Sequence, residues 1–156
     1  MSCENIWVDD LTISACTGCG YCDDTGTCVI QDDMHKVYQK VEASKIIAFI
    51  TPIYFGSMTG QLKVMIDRFQ PYYASKYLLN APRIPQINDK KAALIVLSGM
   101  KRQRFFENAK EIAEIFCINA NIALEHTLYL GNVDAAGDVL KKPGYVNKIK
   151  DLAQLL

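Results

Sequence analysis

Apolar residues fall into two rhythms along this chain. Ile46-Ile-Ala-Phe-Ile50 and Ala92-Ala-Leu-Ile-Val-Leu97 are uninterrupted apolar runs of strand length, and such runs predict strands buried on both faces. Ile122–Leu130 reads as a third strand. Asn5–Val8 is a shorter candidate that comes closer to alternation, with Trp7 as a packing residue. Between these segments the period lengthens. Met34, Val37, Tyr38 and Val41 fall at i, i+3, i+4 and i+7, the spacing of one helix face, and Asp32 or Asp33 stands where an N-cap belongs. Leu62, Met65, Ile66 and Phe69 mark a second helix. Phe105, Ala109, Ile112, Ala113 and Phe116 mark a third, and Tyr145, Ile149, Leu152 and Leu156 a fourth that Pro143 opens. Strands alternating with helices predict an α/β class, a mostly parallel sheet covered on both faces. The stretch from Gln70 to Lys90, with Tyr72, Tyr73 and Tyr77, is long for an ordinary connection and is expected to carry a binding edge or an oligomer contact.

Composition narrows the classes of partner. The 156 residues suit one domain spanning 1–156, long enough to bury about 70% of the surface of the unfolded chain. Seventeen basic and seventeen acidic residues cancel, so no electrostatic pull toward nucleic acid or an anionic membrane is expected. No apolar run approaches the roughly 20 residues that span a bilayer, and the N-terminus lacks the regions of a signal peptide. A cytoplasmic location follows as the expectation. In a reducing compartment the four clustered cysteines of the six point to metal binding or redox chemistry more than to disulfides, and Cys3 and Cys117 stand apart. Cys117 lies on a helix's apolar face and is expected to be a buried, inert thiol. His35 is read as solvated and His126 as a packed residue inside a strand. Lys63 and Asp67 are read as a surface ion pair. No side chain is nominated as a general acid or base.

The cysteines constrain the chemistry most. Cys16, Cys19, Cys22 and Cys28 follow C-x2-C-x2-C-x5-C, and three thiolates offset by three residues, with a fourth soon after, can converge on one soft object as ferredoxin-type runs do around an iron–sulfur cluster. Zinc fits less well, because structural zinc sites usually pair two separated knuckles. Four reduced thiols on a tight loop remain open on spacing alone. A second constellation follows the first buried strand: Thr51-Pro-Ile-Tyr-Phe-Gly-Ser-Met-Thr-Gly60, then the helix Gln61–Arg68. Ligands of open α/β sheets bind at the carboxyl ends of the strands, where this loop is expected to lie. Gly56 allows close backbone approach, and Tyr54 and Phe55 offer flat apolar surfaces. A strand-to-helix turn with aromatic packing is the other reading of the same residues.

These blocks occur together in a known order. The cysteine run, Gly26-Thr-Cys28, Asp32-Asp33-Met34, Thr51–Gly56, Gly60–Arg68 and Gly131–Asp138 resemble the NADPH-dependent FMN reductase family, and most closely its iron–sulfur flavoprotein branch. The resemblance implies a flavodoxin-like three-layer α/β/α fold and flavin-dependent oxidoreductase or electron-transfer activity, with FMN at the strand ends and NAD(P)H as reductant. Pro52, Ile53, Tyr54, Phe55 and Gly56 would border the flavin ring, and Ser98 and Gly99 would approach the same ring. Cys16, Cys19, Cys22 and Cys28 would ligate a 4Fe-4S cluster. The electron acceptor would be a small molecule or a protein, and a homo-oligomer, dimer or tetramer, would bring the cluster of one subunit to the flavin of another.

One part of the family pattern is missing from this sequence. A first strand and its phosphate loop would precede Asn5, where four residues stand, so Asn5–Leu11 corresponds to the family's second strand. The strand at Ile46–Ile50 would then show an apolar edge unless Asn5–Val8 moves beside it. Losing three hydrogen bonds to a charged phosphate, each about 1.5–3 kcal/mol, would weaken FMN binding by about a thousandfold or more. The expectation is a misassigned start. The alternatives are a non-enzymatic iron–sulfur or zinc-binding module with a degenerate flavin site, and a fragment subunit that completes its sheet with a partner.

Overall fold

Ala92, Ala93, Leu94 and Val96 are all fully buried, because the strand that carries them, β3 (Lys91–Ser98), lies in the middle of a four-stranded sheet. In this computed structural model, which describes residues 3–156, the chain divides into two compact units. One runs to Ala43 and resumes over Gly60–Arg83, and the other comprises Ser44–Thr59 and Ile84–Leu156. No helix among the described residues is long and apolar enough to cross a membrane.

The second unit contains the sheet. β1 (Ile46–Tyr54) runs parallel to β3 in a register from Ile46 opposite Lys91 to Pro52 opposite Leu97. β4 (Ala123–Gly131) is parallel to β3 on its other side, with a register shift at Ala92/Ala93. β2 (Ser57–Met58) folds back antiparallel on Ile53 and Tyr54, giving the order β2-β1-β3-β4. The class is α/β with a mostly parallel sheet, as the alternating rhythms predict. α5 (Gln103–Asn119) packs its buried stripe of Phe106, Ala109, Ala113, Phe116 and Cys117 on one face of the sheet. Phe116 meets Phe49 edge to face at 5.1 Å, and Phe106 stacks on Tyr129 at 5.2 Å. Each such aromatic contributes about 1.5–3 kcal/mol by leaving water. α6 (Pro143–Leu155) packs on β4 with Leu152 inward.

β1 departs from the expectation of burial on both faces. Phe49 and Thr51 point inward, while Ala48, Ile50, Pro52 and Tyr54 alternate outward, with Ile50 64% exposed. Within this unit α6 packs on β4 and α5 on β1, β2, β3 and β4. Along Ile46–Pro52 the strand pairs only with β3 among the described residues. Asn5–Val8 is not a strand either. A turn of 3-10 helix occupies Val8–Asp10, and Trp7 is 71% exposed, not packed; four residues leading into two aspartates find no strand to pair with.

The first unit is helical: α1 (Tyr21–Thr25), α2 (Met34–Ala43), α3 (Gly60–Asp67) and α4 (Gln70–Tyr73), the last continuing as a π-helical turn over Ala74–Leu78. Asp32 caps α2 by accepting from the Met34 N–H at 3.1 Å, as predicted. The core sets Tyr38 against Phe69 at 5.2 Å, and Phe69 against Tyr72 at 4.8 Å. Part of the long stretch from Gln70 to Lys90 is therefore helix. Pro71 sits in the first turn of α4, where its missing N–H leaves no bond unmade. His35 is half-buried, not solvated, and its Nε2 lies 3.1 Å from the Ile30 carbonyl oxygen. His126 is likewise only half-buried, because β4 is an edge strand.

Candidate functional site

A cavity of about 610 Å³ opens at the carboxyl ends of β1 and β3, a size typical of cofactor and small-ligand pockets. Ile53, Phe55, Gly56, Ser98, Gly99, Met100, Arg104, Phe105 and Asp134 line it. Its rim is built by the tight reversal between β1 and β2. Phe55 (φ 50°) and Gly56 (φ 84°) are both left-handed, the backbone of a two-residue type I′ hairpin turn, for which Asn-Gly is the usual sequence. Thr51–Tyr54 is thus strand, and the expected strand-to-helix loop is a hairpin. A phenylalanine in this region carries about 1–3 kcal/mol of strain, and its ring is fully exposed, so burial does not compensate. Gly56 is required twice: by its φ, and because a Cβ there would lie 3.2 Å from the Phe105 ring.

On the β3 side the backbone approaches just as closely. A Cβ on Gly99 would lie 2.6 Å from Asp134 Oδ1. Ser98 Oγ donates to the Met100 carbonyl at 2.5 Å, and Tyr129 OH donates to the same oxygen at 2.8 Å, fixing the turn that leads from β3 into α5. The loop bearing Asp134 is held by Asp138, whose carboxylate accepts from the N–H groups of Ala135 (2.8 Å) and Asp134 (3.2 Å) and from Lys141 (2.9 Å). These bonds, that of Ala135 first, hold Asp138 down to about 2. Lys101, Arg102 and Arg104 are exposed where the chain enters α5, whose first turn carries no acidic residue.

The cysteine loop belongs to the other unit. Gly18, Gly20 and Gly26 all take positive φ, and Gly20 and Gly26 flank the short helix α1, which carries Cys22. Cys16 and Cys19 are exposed, and Cys22 and Cys28 half-buried. All four are free thiols. Burial, then the Asp23 carboxylate, push the Cys22 thiol above its ordinary pKa. Gly26 anchors the loop: a Cβ there would lie 2.8 Å from Ser75 Oγ, and its carbonyl accepts from Arg83 Nη1 at 3.2 Å.

Behind the loop lies Arg68, fully buried at 0% exposure. Its Nη1 donates to Asp32 Oδ2 (2.6 Å) and to the Ser14 carbonyl (2.7 Å). Its Nη2 donates to Asp32 Oδ1 (3.2 Å), Cys28 Sγ (3.4 Å) and the Ile30 carbonyl (3.4 Å). Burial works to raise the pKa of Asp32, but the Arg68 bond and the N–H groups of Ser14 and Met34 outweigh it and hold the carboxyl below its ordinary value.

The sequence profile of the NADPH-dependent FMN reductase family matches residues 4–133, most of the chain. The chain belongs to that family. An iron-sulfur flavoprotein of Archaeoglobus fulgidus is 39% identical over 69 residues, 44% of this chain and 31% of that protein. One of Methanosarcina thermophila is 35% identical over 65 residues, 42% of this chain and 34% of its own length. These relatives support the iron–sulfur flavoprotein branch, and the chain spans about a third of their length. Among solved structures, a flavone reductase superposes with a TM-score of 0.65 at 18% identity, over 92% of this chain and 47% of that one. The Trp repressor binding protein of Bacillus subtilis gives 0.58 at 23%, over 76% of this chain and 68% of that one. Both likenesses concern the fold, which is flavodoxin-like.

For this family member the pocket brings together Ile53, Phe55, Gly56, Ser98 and Gly99 of the sequence-expected flavin residues. Pro52 and Tyr54 do not line it, since alternation along β1 turns them to the strand's other, exposed face. Met100, Arg104, Phe105 and Asp134 were missed. In the sequence Phe105 belongs to a helix stripe, and Asp134 to the Gly131–Asp138 block that carries part of the family resemblance. A planar apolar ring suits such a cavity, because Ile53, Phe55, Met100 and Phe105 are flat or flexible apolar partners, and the backbone at Gly56 and Gly99 is packed against Phe105 and Asp134 too closely for a side chain. The thiols present a different case. No three His, Cys, Asp or Glu side chains among the described residues converge as they would around one metal ion. An all-sulfur donor set suits iron–sulfur chemistry, and a cubane takes each thiolate on a separate iron, so its ligands stand wider apart than those of a single zinc.

Proposed function

We propose that this chain is a flavin-dependent oxidoreductase or electron-transfer protein, with FMN at the carboxyl ends of β1 and β3 and a 4Fe-4S cluster on Cys16, Cys19, Cys22 and Cys28. One observation carries the reading: Ile53, Phe55 and Gly56 meet Ser98 and Gly99, from a separate strand, around a single cavity of about 610 Å³. A bound flavin supplies one- and two-electron transfer, and a cluster single-electron relay. The chain's own residues do the rest. Ile53, Met100 and Phe105 would shield the ring from water, and backbone groups near Gly56 and Gly99 would address its polar edge. Arg104 within the pocket, with Lys101 and Arg102 beside it, offers positive charge to an anionic reductant such as NAD(P)H. The acceptor would be a small molecule or a protein, and association of copies of the chain would bring cluster and flavin within transfer distance.

Anaerobically purified protein, reconstituted with ferrous iron and sulfide and then titrated with FMN, tests this directly. Flavin bands together with the broad cluster shoulder are expected, with quenching of flavin fluorescence on binding. A cluster shoulder with no flavin uptake at any concentration would reassign the chain as an iron–sulfur module. A colourless protein that takes up neither would sink the whole proposal.

A further inference from the structure

A buried arginine–carboxylate pair is a poor way to stabilise a fold. Removing both charges from water costs several kcal/mol, and apolar replacements of similar size usually serve stability as well or better. Arg68 and Asp32 nevertheless occupy the centre of the first unit, with side chains 0% and 6% exposed. The other contacts of the guanidinium explain what an apolar pair could not do. Ser14, which accepts at 2.7 Å, stands two residues before Cys16, and Ile30, which accepts at 3.4 Å, stands two residues after Cys28. Arg68 therefore ties together the two ends of the cysteine loop. Its Nη2 also lies 3.4 Å from Cys28 Sγ, the one sulfur of the four clustered cysteines that stands outside the C-x2-C-x2-C run. The Nε–H is buried and has no partner among the described residues, so the cation retains a donor that the local protein groups do not use.

We propose that Arg68 is the positioning residue of the cysteine site: it clamps the loop so that Cys28 stands ready to ligate, and its Nη2–H···Sγ bond raises the reduction potential of the cluster held there. The inference rests on the cluster reading above. When such a cluster takes one electron from a reductant, no bond forms or breaks and its charge falls by one unit. Hydrogen bonds to its sulfurs and a nearby cation favour that more negative state. Asp32 holds the guanidinium in the plane that serves both tasks, accepting on both nitrogens at 2.6 and 3.2 Å.

The test compares the full chain with Arg68→Lys and with the double replacement Arg68→Met/Asp32→Leu, which removes the charges as a pair so that neither is left buried alone. All are reconstituted with ferrous iron and sulfide under argon, checked for helix content by circular dichroism, assayed for iron per chain, and titrated with dithionite. The expected result is a folded double variant that loses iron to a chelator several-fold faster than wild type, and an Arg68→Lys cluster with a more negative midpoint. In wild type carrying 15N-arginine, the reduced cluster should show a 15N hyperfine coupling, a readout that requires no variant to fold. Variants with full iron and the wild-type midpoint, or a wild-type cluster without 15N coupling, would overturn the inference alone. A wild-type chain that takes up no iron would overturn the cluster reading and this inference with it.

Discussion

Arg68 and Asp32, 36 positions apart, meet at 2.6 Å through side chains almost wholly sealed from water. Lys63 and Asp67 meet at the same 2.6 Å with both side chains nearly half exposed. Distance alone would rank the pairs equally, and burial separates them.

Asp32→Ala should therefore destabilise the protein by about 3–5 kcal/mol, because it leaves the guanidinium buried without its counter-charge. Asp67→Ala should cost less than about 1 kcal/mol. Urea unfolding of both variants checks the contrast, and equal midpoints would contradict it.

Phe55→Asn should raise stability and lower flavin affinity. Asparagine tolerates the left-handed backbone that phenylalanine adopts under strain, a gain of about 1 kcal/mol, and Asn-Gly is the preferred type I′ turn sequence. The exposed ring leaves no core contact to lose. Thermal unfolding should shift upward while FMN fluorescence titration shows weaker binding; a fall in stability would mean that the turn is not built as described.

Gly26→Ala should destabilise the first unit by about 1–2 kcal/mol from the left-handed backbone alone, with more from the 2.8 Å approach to Ser75 Oγ. Removing that hydroxyl as well, with Ser75→Ala, should recover part of the loss. Denaturant midpoints of the single and double variants measure the recovery.

Cys117 should resist thiol reagents. Burial, with a smaller effect from Glu114, pushes its pKa up to about 12, so almost no thiolate exists near neutral pH; the residue is also only 2% exposed. Mass spectrometry of metal-free native protein after brief alkylation should find Cys16 and Cys19 modified and Cys117 untouched, with Cys117 reacting once the chain is unfolded.

Asp138 offers a test by pH. Its folded-state pKa is pulled below the ordinary carboxylate value to about 2, so its contribution to the Asp134–Asp138 turn is complete above the ordinary carboxylate range and is lost as pH falls through about 2. The carboxyl carbon should titrate near that value by NMR, and Lys141→Met should move the midpoint upward.

The parts of the fold that could be read from the sequence were those whose signal is local. β3 announced itself because both of its faces are apolar, and α2, α5 and α6 through stripes on one side. A cap at Asp32 or Asp33 was legible from their place before Met34, and the structure uses Asp32. β1 misled because Ile46–Ile50 has the composition of a doubly buried strand, whereas Ile50 lies 64% exposed; covering elements are set by topology, which composition does not encode. α4 was not legible because its four residues are too few to show a helical period. In the pocket, the residues flanking β1 and β3 were legible from motif order, but Phe105 and Arg104 reach it from the start of α5, and Asp134 from beyond β4. Such meetings depend on how strand ends converge. The role of Arg68 was hidden for the same reason, since nothing local in Ile66-Asp-Arg-Phe69 distinguishes a buried cation from a surface one.

The clamp also orders events in time. Cys28 precedes Arg68 by 40 residues, and at roughly 5–20 residues per second a ribosome needs about 2–8 s to extend the chain from one to the other. Throughout that interval the four thiols have been made but the group that ties their loop has not. A cofactor that requires the tied loop would therefore enter only after Arg68 has been made.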